Sequence, residues 1–397
     1  MGSIVSLGIG YFEIDWGKNN LFINHSKLFL KGDKKLINSY DYEGELFQEF
    51  GYSRKLRDVK LRLDLLGYSM GGIEKKYNNI VANFPEYYPE INLSFAEFTE
   101  VISEIDLSKI AFSEDHPDPD LGEYVTKIIF SKPEFAKLSE KIDITDNDIG
   151  TFFENLDPYI QLRIFAENKA NLDLDLEWRT QDIIKGGYVN EDELFECIQD
   201  KDKFLIVTEG TSDSFVIERA INLLRPDISD FFTYVDMEEG YPFSGTGNLY
   251  KFYQGLVSIK MQNKCLFIFD NDAEGIETFN KCVDITGPNN IRVTKLPDLD
   301  EFNDFLTIGP NGEHKVDVNG QAVAIECFLD LSYKNRDTPI IRWSSYKKSL
   351  QLYQGSLVGK DYYTKQFKKV KDREENYDFS KLYFLIDHIF DQCIQGV

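Results

Sequence analysis

Short apolar runs alternate with segments of helical periodicity over residues 204–294 of this chain of 397 residues. The apolar runs have the length and composition of strands buried on both faces, and the segments between them carry apolar residues on one face. The predicted strands are 204–207, 233–235, 265–269 and 291–294, and the predicted helices are 212–224, 247–259 and 273–282. This alternation is typical of βαβ units, so we predict a mostly parallel sheet flanked by helices.

Carboxylates stand at the ends of two of these predicted strands. Glu209 follows the first strand, and Asp270 and Asp272 follow the third. The carboxyl ends of parallel strands meet at one edge of a sheet, where ligands bind, so we expect the three carboxylates to lie together. Singly, a strand-end Glu is typical of a capping group and Asp-Asn-Asp of a turn. Because Mg²⁺ prefers oxygen ligands and keeps several waters, the combination predicts a divalent-metal site.

Composition limits the class of protein. A hydrophobic fraction of 42% and an aromatic fraction of 14% indicate a folded chain. The five cysteines form no C-x-x-C pair, which excludes the usual zinc-ribbon spacing and favours a reducing compartment. The N-terminus has no basic region before an apolar stretch, and no run of 18 apolar residues occurs. We therefore expect a cytoplasmic protein with no membrane partner.

Basic residues are concentrated near the C-terminus of an otherwise acidic chain. The net charge is −24, yet Lys334 to Arg373 contains eleven Lys or Arg against three acids, a local balance of +8. Tyrosines and Trp343 are interleaved with the basic residues, as in a groove that tracks a nucleic-acid strand. A solvated helix face is the alternative interpretation. The residues predicted to bind nucleic acid are Lys347, Lys348, Lys360, Lys365, Lys368 and Lys369.

Two motifs carry a family resemblance. The sequences T-E-G-T-S-D at 208–213 and D-N-D-A-E-G at 270–275 resemble the signature motifs of the Toprim domain, and are most similar to its nuclease branch, the OLD-family nucleases. Residues 1–19 resemble the HEPN/Toprim-associated N-terminal domain, which accompanies Toprim domains in bacterial conflict systems. The implied fold class is α/β, a mostly parallel Toprim sheet flanked by helices, with an α+β, helix-rich N-terminal domain.

The resemblance implies three parts of the chain. These are an N-terminal domain at 1–200, β-rich at its start and then helical, a Toprim catalytic domain at 201–331, and a basic helical extension at 332–397.

The same resemblance implies roles for the acids. Glu209 would act in acid–base chemistry or metal binding, Asp270 and Asp272 would hold Mg²⁺ or Mn²⁺, and Asp213 would support a second metal. Two metals can activate a water and stabilise the leaving oxygen of a phosphodiester. Lys360 is the candidate cation for the phosphate, and Glu326 a further metal ligand. For these two, an exposed lysine and a polar helix residue are the alternative interpretations.

Together, these expectations predict a metal-dependent nuclease that acts in bacterial anti-phage defence. Its expected substrate is DNA, and RNA stays open as an alternative. A non-catalytic Toprim-fold sensor or scaffold is the alternative. Gly355-x-x-x-Gly359-Lys360 has one residue too few between its glycines for a P-loop, so a separate ATPase or sensor protein is the expected partner. No histidine follows an arginine at the R-x4–6-H spacing of active HEPN ribonucleases, so we expect a non-catalytic HEPN-like part. The oligomeric state, including a homo-oligomer, stays open.

Overall fold

The computed structural model describes residues 6–10, 12–15, 23–40, 46–83, 94–110, 132–133, 156–235, 245–334, 338–371, 373 and 376–395. The chain divides into two compact units, Met1–Cys197 and Ile198–Gln395. Over the described ranges, no helix is both long and apolar enough to cross a membrane.

An antiparallel sheet forms the centre of the first unit. Its strands are β1 (Ser6–Ile9), β2 (Phe12–Asp15), β3 (Lys34–Tyr40), β4 (Leu46–Lys55) and β5 (Asp175–Arg179), in the order β2-β1-β5-β4-β3. The hairpins β1–β2 and β3–β4 agree with the expected β-rich start. Strand β5 lies within the part of this domain that was expected to be helical, and it corrects that expectation at Asp175–Arg179. This strand is the middle one of the five, and Leu176 and Trp178, two residues apart, are both fully buried on one face of it.

Helices cover this sheet. They are α1 (Leu56–Leu63), α2 (Met70–Asn83), α3 (Phe95–Ser103), α4 (Pro158–Phe165), α5 (Gln181–Lys185) and α6 (Glu191–Leu194). Helix α4 begins where Asp157 accepts the N–H of Tyr159 and Pro158 occupies the first helical position. Phe165 at its end packs edge-on against Phe12 of β2, with ring centroids 5.3 Å apart. The core of the unit lies between the helices and the sheet.

The second unit contains the predicted βαβ pattern. Its strands are β6 (Phe204–Thr208), β7 (Phe232–Tyr234), β8 (Lys264–Phe269), β9 (Asn271–Asp272), β10 (Ile291–Lys295), β11 (Phe305–Gly309), β12 (Gly312–Val316), β13 (Ala322–Val323), β14 (Ile341–Lys347) and β15 (Leu352–Leu357). Its helices are α7 (Thr211–Leu224), α8 (Thr246–Ser258), α9 (Ala273–Val283), α10 (Lys360–Phe367) and α11 (Ser380–Ile394). Strands β10-β8-β6-β7 form an all-parallel sheet in that order. The predicted α/β class and parallel sheet are confirmed.

A second sheet corrects the expectation of a basic helical extension at 332–397, which contains two strands as well as helices. It has the order β12-β11-β14-β15, and its last two strands form a hairpin within 332–397. The hairpin carries Ile341 and three aromatic residues, Trp343, Tyr346 and Tyr353, and side chains of these kinds favour a pleated strand. The small pair β9–β13 lies near this hairpin, because the N–H of Gly355 in β15 donates to the carbonyl of Gln321 at 3.1 Å. This connection brings β15 close to the end of β8.

Candidate active site

The ends of β6 and β8 bring two of the predicted acids together. The strands pair in parallel up to Thr208 and Ile268, so Glu209 and Asp270 leave the sheet at the same edge. Glu209 Oε1 accepts the backbone N–H of Asp270 at 3.2 Å. The expected meeting of the two strand ends is therefore present, and no hydrogen bond of a described residue occupies the second carboxylate oxygen of Glu209.

Asp272 lies beside them as the N-cap of α9. Its Oδ1 accepts the N–H groups of Glu274 at 3.0 Å and Gly275 at 2.7 Å. Its Oδ2 accepts the side-chain amide of Gln354 from β15. A Cβ on Gly275 would lie 2.1 Å from the carbonyl oxygen of Asp270. Only glycine therefore allows α9 to begin this close to the strand end.

Asp213 and Glu326 complete the cluster of acids. Asp213, in the first turn of α7, accepts the N–H of Gly210 at 3.0 Å and the hydroxyl of Ser212 at 3.2 Å. Glu326 lies in a short 3-10 helix, Ile325–Phe328, and is 2% exposed. Its charge raises the pKa of both Asp213 and Asp270, which indicates that it is close to them. All five acids predicted from the sequence are thus neighbours, and we call them the acid cluster.

Burial and mutual repulsion dominate the electrostatics of the acid cluster. Burial raises the pKa of Glu209 to about 8, with the carboxylates of Asp272 and Asp213 adding to the rise. Burial and Glu326 raise the pKa of Asp213 to about 7, while Lys360 opposes the rise. Burial and neighbouring carboxylates raise the pKa of Asp270 well above its usual range. Carboxylates crowded in this way favour either protons or a cation.

The donors suit a hard divalent cation, although they are not preassembled around one. Among the described residues, no group of three or more His, Cys, Asp or Glu side chains has the arrangement of a formed metal site. Asp272 is already hydrogen-bonded through both oxygens. The carboxylate of Asp270 accepts no hydrogen bond from any described residue, so it is available as a ligand. Oxygen donors of this kind fit Mg²⁺ or Mn²⁺.

The predicted basic residues fall into different settings. Lys360 begins α10 and acts electrostatically on Asp213, and Lys365 and Lys368 line a cavity with the first turns of α7. Lys347 pairs with Glu277 of α9 at 3.3 Å. Lys348 and Lys369 are exposed. The structure therefore brings Lys360, Lys365 and Lys368 toward the acid cluster, whereas Lys347 is engaged in an ion pair.

Sequence reasoning missed two supporting side chains. Asn271 is fully buried, and its Oδ1 accepts Lys295 Nζ and the N–H of Gly320, each at 3.1 Å. Gln354 bonds Asp272 and also accepts the N–H of Glu274 at 3.0 Å. The position of Asn271 could have been found, because the middle residue of a strand-like D-N-D must face away from its neighbours. No local signal marks Gln354, which comes from a hairpin far along the chain.

The family comparison concerns the N-terminal half. The family model for HEPN/Toprim N-terminal domain 1 matches residues 1–202. No curated protein and no solved structure shows significant similarity to the chain. The resemblance seen at residues 1–19 is therefore confirmed at the level of the family, although residues 1–5 and 16–19 lie outside the described ranges. The chain belongs to the HEPN/Toprim N-terminal domain 1 family.

Proposed function

We propose that the protein is a divalent-metal-dependent nuclease that hydrolyses phosphodiester bonds of DNA, as a toxic effector in bacterial anti-phage defence. The observation that carries the proposal is the hydrogen bond from the N–H of Asp270 to Glu209, which joins the two strand ends and their acids. Family membership supports a nuclease-like or defence-related role. RNA is the alternative substrate.

Each acid has a place in this proposal. Glu209, Asp213 and Asp270 would hold Mg²⁺ or Mn²⁺, with Glu326 as a further ligand and Asp272 contributing its remaining lone pairs. A bound ion would polarise the phosphodiester and activate the attacking water. The first oxygen of Glu209 is fixed by the strand end, and the second accepts no hydrogen bond from a described residue, so it would serve either as a metal ligand or as the acceptor of the proton from water.

Lys360 supplies positive charge near the acid cluster. It is exposed at the start of α10, and its effect on Asp213 indicates that it lies near that carboxylate. A lysine so placed would offset negative charge on a phosphate oxygen in the transition state. We propose the neighbouring Lys365, Lys368 and Lys369, with Lys347 and Lys348 on the hairpin, as nucleic-acid contacts.

The test compares matched variants on plasmid DNA and on RNA with Mn²⁺ or Mg²⁺. Glu209→Gln and Asp270→Asn keep the side-chain shape and remove a metal ligand, so each should lower the cleavage rate at least a hundredfold. Glu313→Gln, on the exposed edge strand β12, is the control and should cleave normally. Cleavage that survives both cluster substitutions would refute the assignment.

A non-catalytic sensor or scaffold is the second candidate. The hydrogen bonds on both oxygens of Asp272 favour it, since they are typical of a structural cap. Mg²⁺ would then stabilise the protein without any cleavage of DNA or RNA. In either case we propose a cytoplasmic protein that works with a separate ATPase or sensor. Gly355 lies within β15 and Gly359 precedes α10, an arrangement that differs from a P-loop.

A further inference from the structure

A small basic cavity lies between α7 and α10, next to the acid cluster. Its volume is about 200 Å³. Its lining consists of hydroxyl groups, two ammonium groups, one carboxylate and one ring, from Thr211, Ser212, Phe215, Asp361, Thr364, Lys365 and Lys368. Lys365 and Lys368 are two of several lysines proposed above as nucleic-acid contacts. Their position in this cavity sets them apart from the others.

Both lysines of the cavity are available to an anion. Neither forms an ion pair with a described carboxylate, in contrast to Lys347, which is paired with Glu277. Lys368 Nζ lies over the ring of Phe215, 4.5 Å from its centroid. A cation–π contact is an electrostatic attraction between the ammonium and the face of the ring. It leaves N–H groups of the ammonium able to donate hydrogen bonds to a ligand.

The cavity is held in shape by a cross-connection between its two walls. Arg219 of α7 donates through Nε to the carbonyl of Phe367 at 3.2 Å and through Nη2 to the carbonyl of Val370. The ring of Phe367 lies beneath the same guanidinium and is fully buried. Helix α10 is thus fixed against α7, so the backbone that carries Lys365 and Lys368 is positioned before a ligand arrives.

The cavity and the acid cluster share a wall. Ser212 lines the cavity, and its hydroxyl donates to the carboxylate of Asp213 at 3.2 Å. A second cavity of about 570 Å³ shares Thr211 and Phe215 with the first and continues along α7 to the edge strand β7. That volume accommodates a nucleoside. A strand leaving the acid cluster therefore has room to continue past the two lysines.

We infer that the basic cavity binds a non-scissile phosphodiester of the substrate strand, close to the bond that is cut. This inference rests on the proposed function and adds the class of substrate, a polynucleotide as opposed to an isolated phosphodiester. Lys365 and Lys368 provide the charge, and the hydroxyls of Thr211, Ser212 and Thr364 provide hydrogen bonds. The two lysines and Asp361 give the lining a net charge of +1. This charge matches the single negative charge of a phosphodiester better than the nearly double negative charge of a terminal phosphate monoester.

The experiment uses the full chain and two substrates. Lys365→Gln/Lys368→Gln is compared with Lys201→Gln, an exposed lysine that precedes β6 at the opposite edge of the sheet. The first substrate is a single-stranded DNA oligonucleotide, and the second is bis(p-nitrophenyl) phosphate, which has one phosphodiester and no neighbour. Binding of the labelled oligonucleotide is also measured by anisotropy in EDTA over a range of salt concentrations.

The double variant should bind the oligonucleotide about tenfold more weakly, with the slope of log K against log salt reduced by about 0.7, the value for one single-strand phosphate contact. Its kcat/KM on the oligonucleotide should fall mainly through KM, and its hydrolysis of bis(p-nitrophenyl) phosphate should equal that of Lys201→Gln. An unchanged binding slope, or an equal loss on both substrates, would overturn the inference. If the wild type cleaves neither substrate, the proposed function fails, whereas the binding measurement still decides whether the basic cavity holds a phosphodiester of a polynucleotide.

Discussion

Gly275 is the residue on which the geometry of the acid cluster depends most directly. A Cβ there would lie 2.1 Å from the carbonyl oxygen and 2.9 Å from the carbonyl carbon of Asp270. These are backbone atoms of a buried strand end, so they cannot rotate away as a flexible side chain can. Gly275→Ala should therefore lower the free energy of unfolding by about 3 kcal/mol, measured by urea denaturation.

Gly255 provides the matched control for that substitution. It is an exposed glycine in the middle of α8, and a Cβ there would meet nothing within 4 Å. Gly255→Ala should stabilise the protein by about 0.5 to 1 kcal/mol, because alanine is the better helix former. If Gly275→Ala stabilises the protein as Gly255→Ala is expected to do, the close approach of α9 to Asp270 does not exist in solution.

At the scale of elements, the sequence predicts what local patterns encode. Strands β6 and β8 could be predicted because each is a short apolar run, and Glu209 and Asp270 follow from where those runs end. Strand β5 could not, since a short strand such as Asp175–Arg179 is a weak signal beside helical neighbours. Gln354 reaches the site through the pairing of β15 with β14, a long-range arrangement that no local pattern specifies.

The placement of α10 is an element-scale feature that one arginine supports. Arg219 binds the carbonyls of Phe367 and Val370 at the end of that helix, and such charge-assisted hydrogen bonds contribute about 1.5 to 3 kcal/mol. Arg219→Met keeps much of the apolar stem and removes these bonds. We expect amide protection in α10 to fall while protection in α8 and α9 is kept, as measured by hydrogen exchange with mass spectrometry.

The control for this variant is Arg342→Met, which removes an arginine that is exposed on β14. Its exchange pattern should match that of the wild type. Unaltered protection of α10 in Arg219→Met would mean that the burial of Tyr363 and Phe367 alone holds the helix in place.

At the scale of the whole molecule, the two units have separate cores, and the charged clusters described above lie in only one of them. The acid cluster and the basic residues 338–371 belong to the second unit, whereas the family match covers the first. Each unit has a sheet with helices packed on it, so each can unfold as a cooperative unit. Ligand binding to one unit should then stabilise only that unit.

Mg²⁺ should therefore stabilise the second unit selectively. The crowded carboxylates of Glu209, Asp213 and Asp270 raise the cost of the metal-free folded state, and an ion that binds only that state adds about 2.7 kcal/mol at a hundred times its Kd. Calorimetry should show a higher transition temperature for 198–395 and an unchanged one for the first unit, with hydrogen exchange assigning the two transitions.

The control is the double variant Glu209→Gln/Asp270→Asn. Without metal it should be at least as stable as the wild type, because the replacements remove charge and keep the side-chain shape. It should lose the stabilisation by Mg²⁺, whereas Glu313→Gln should retain it. An equal shift of both transitions, or a shift that persists in the double variant, would place metal binding outside the acid cluster.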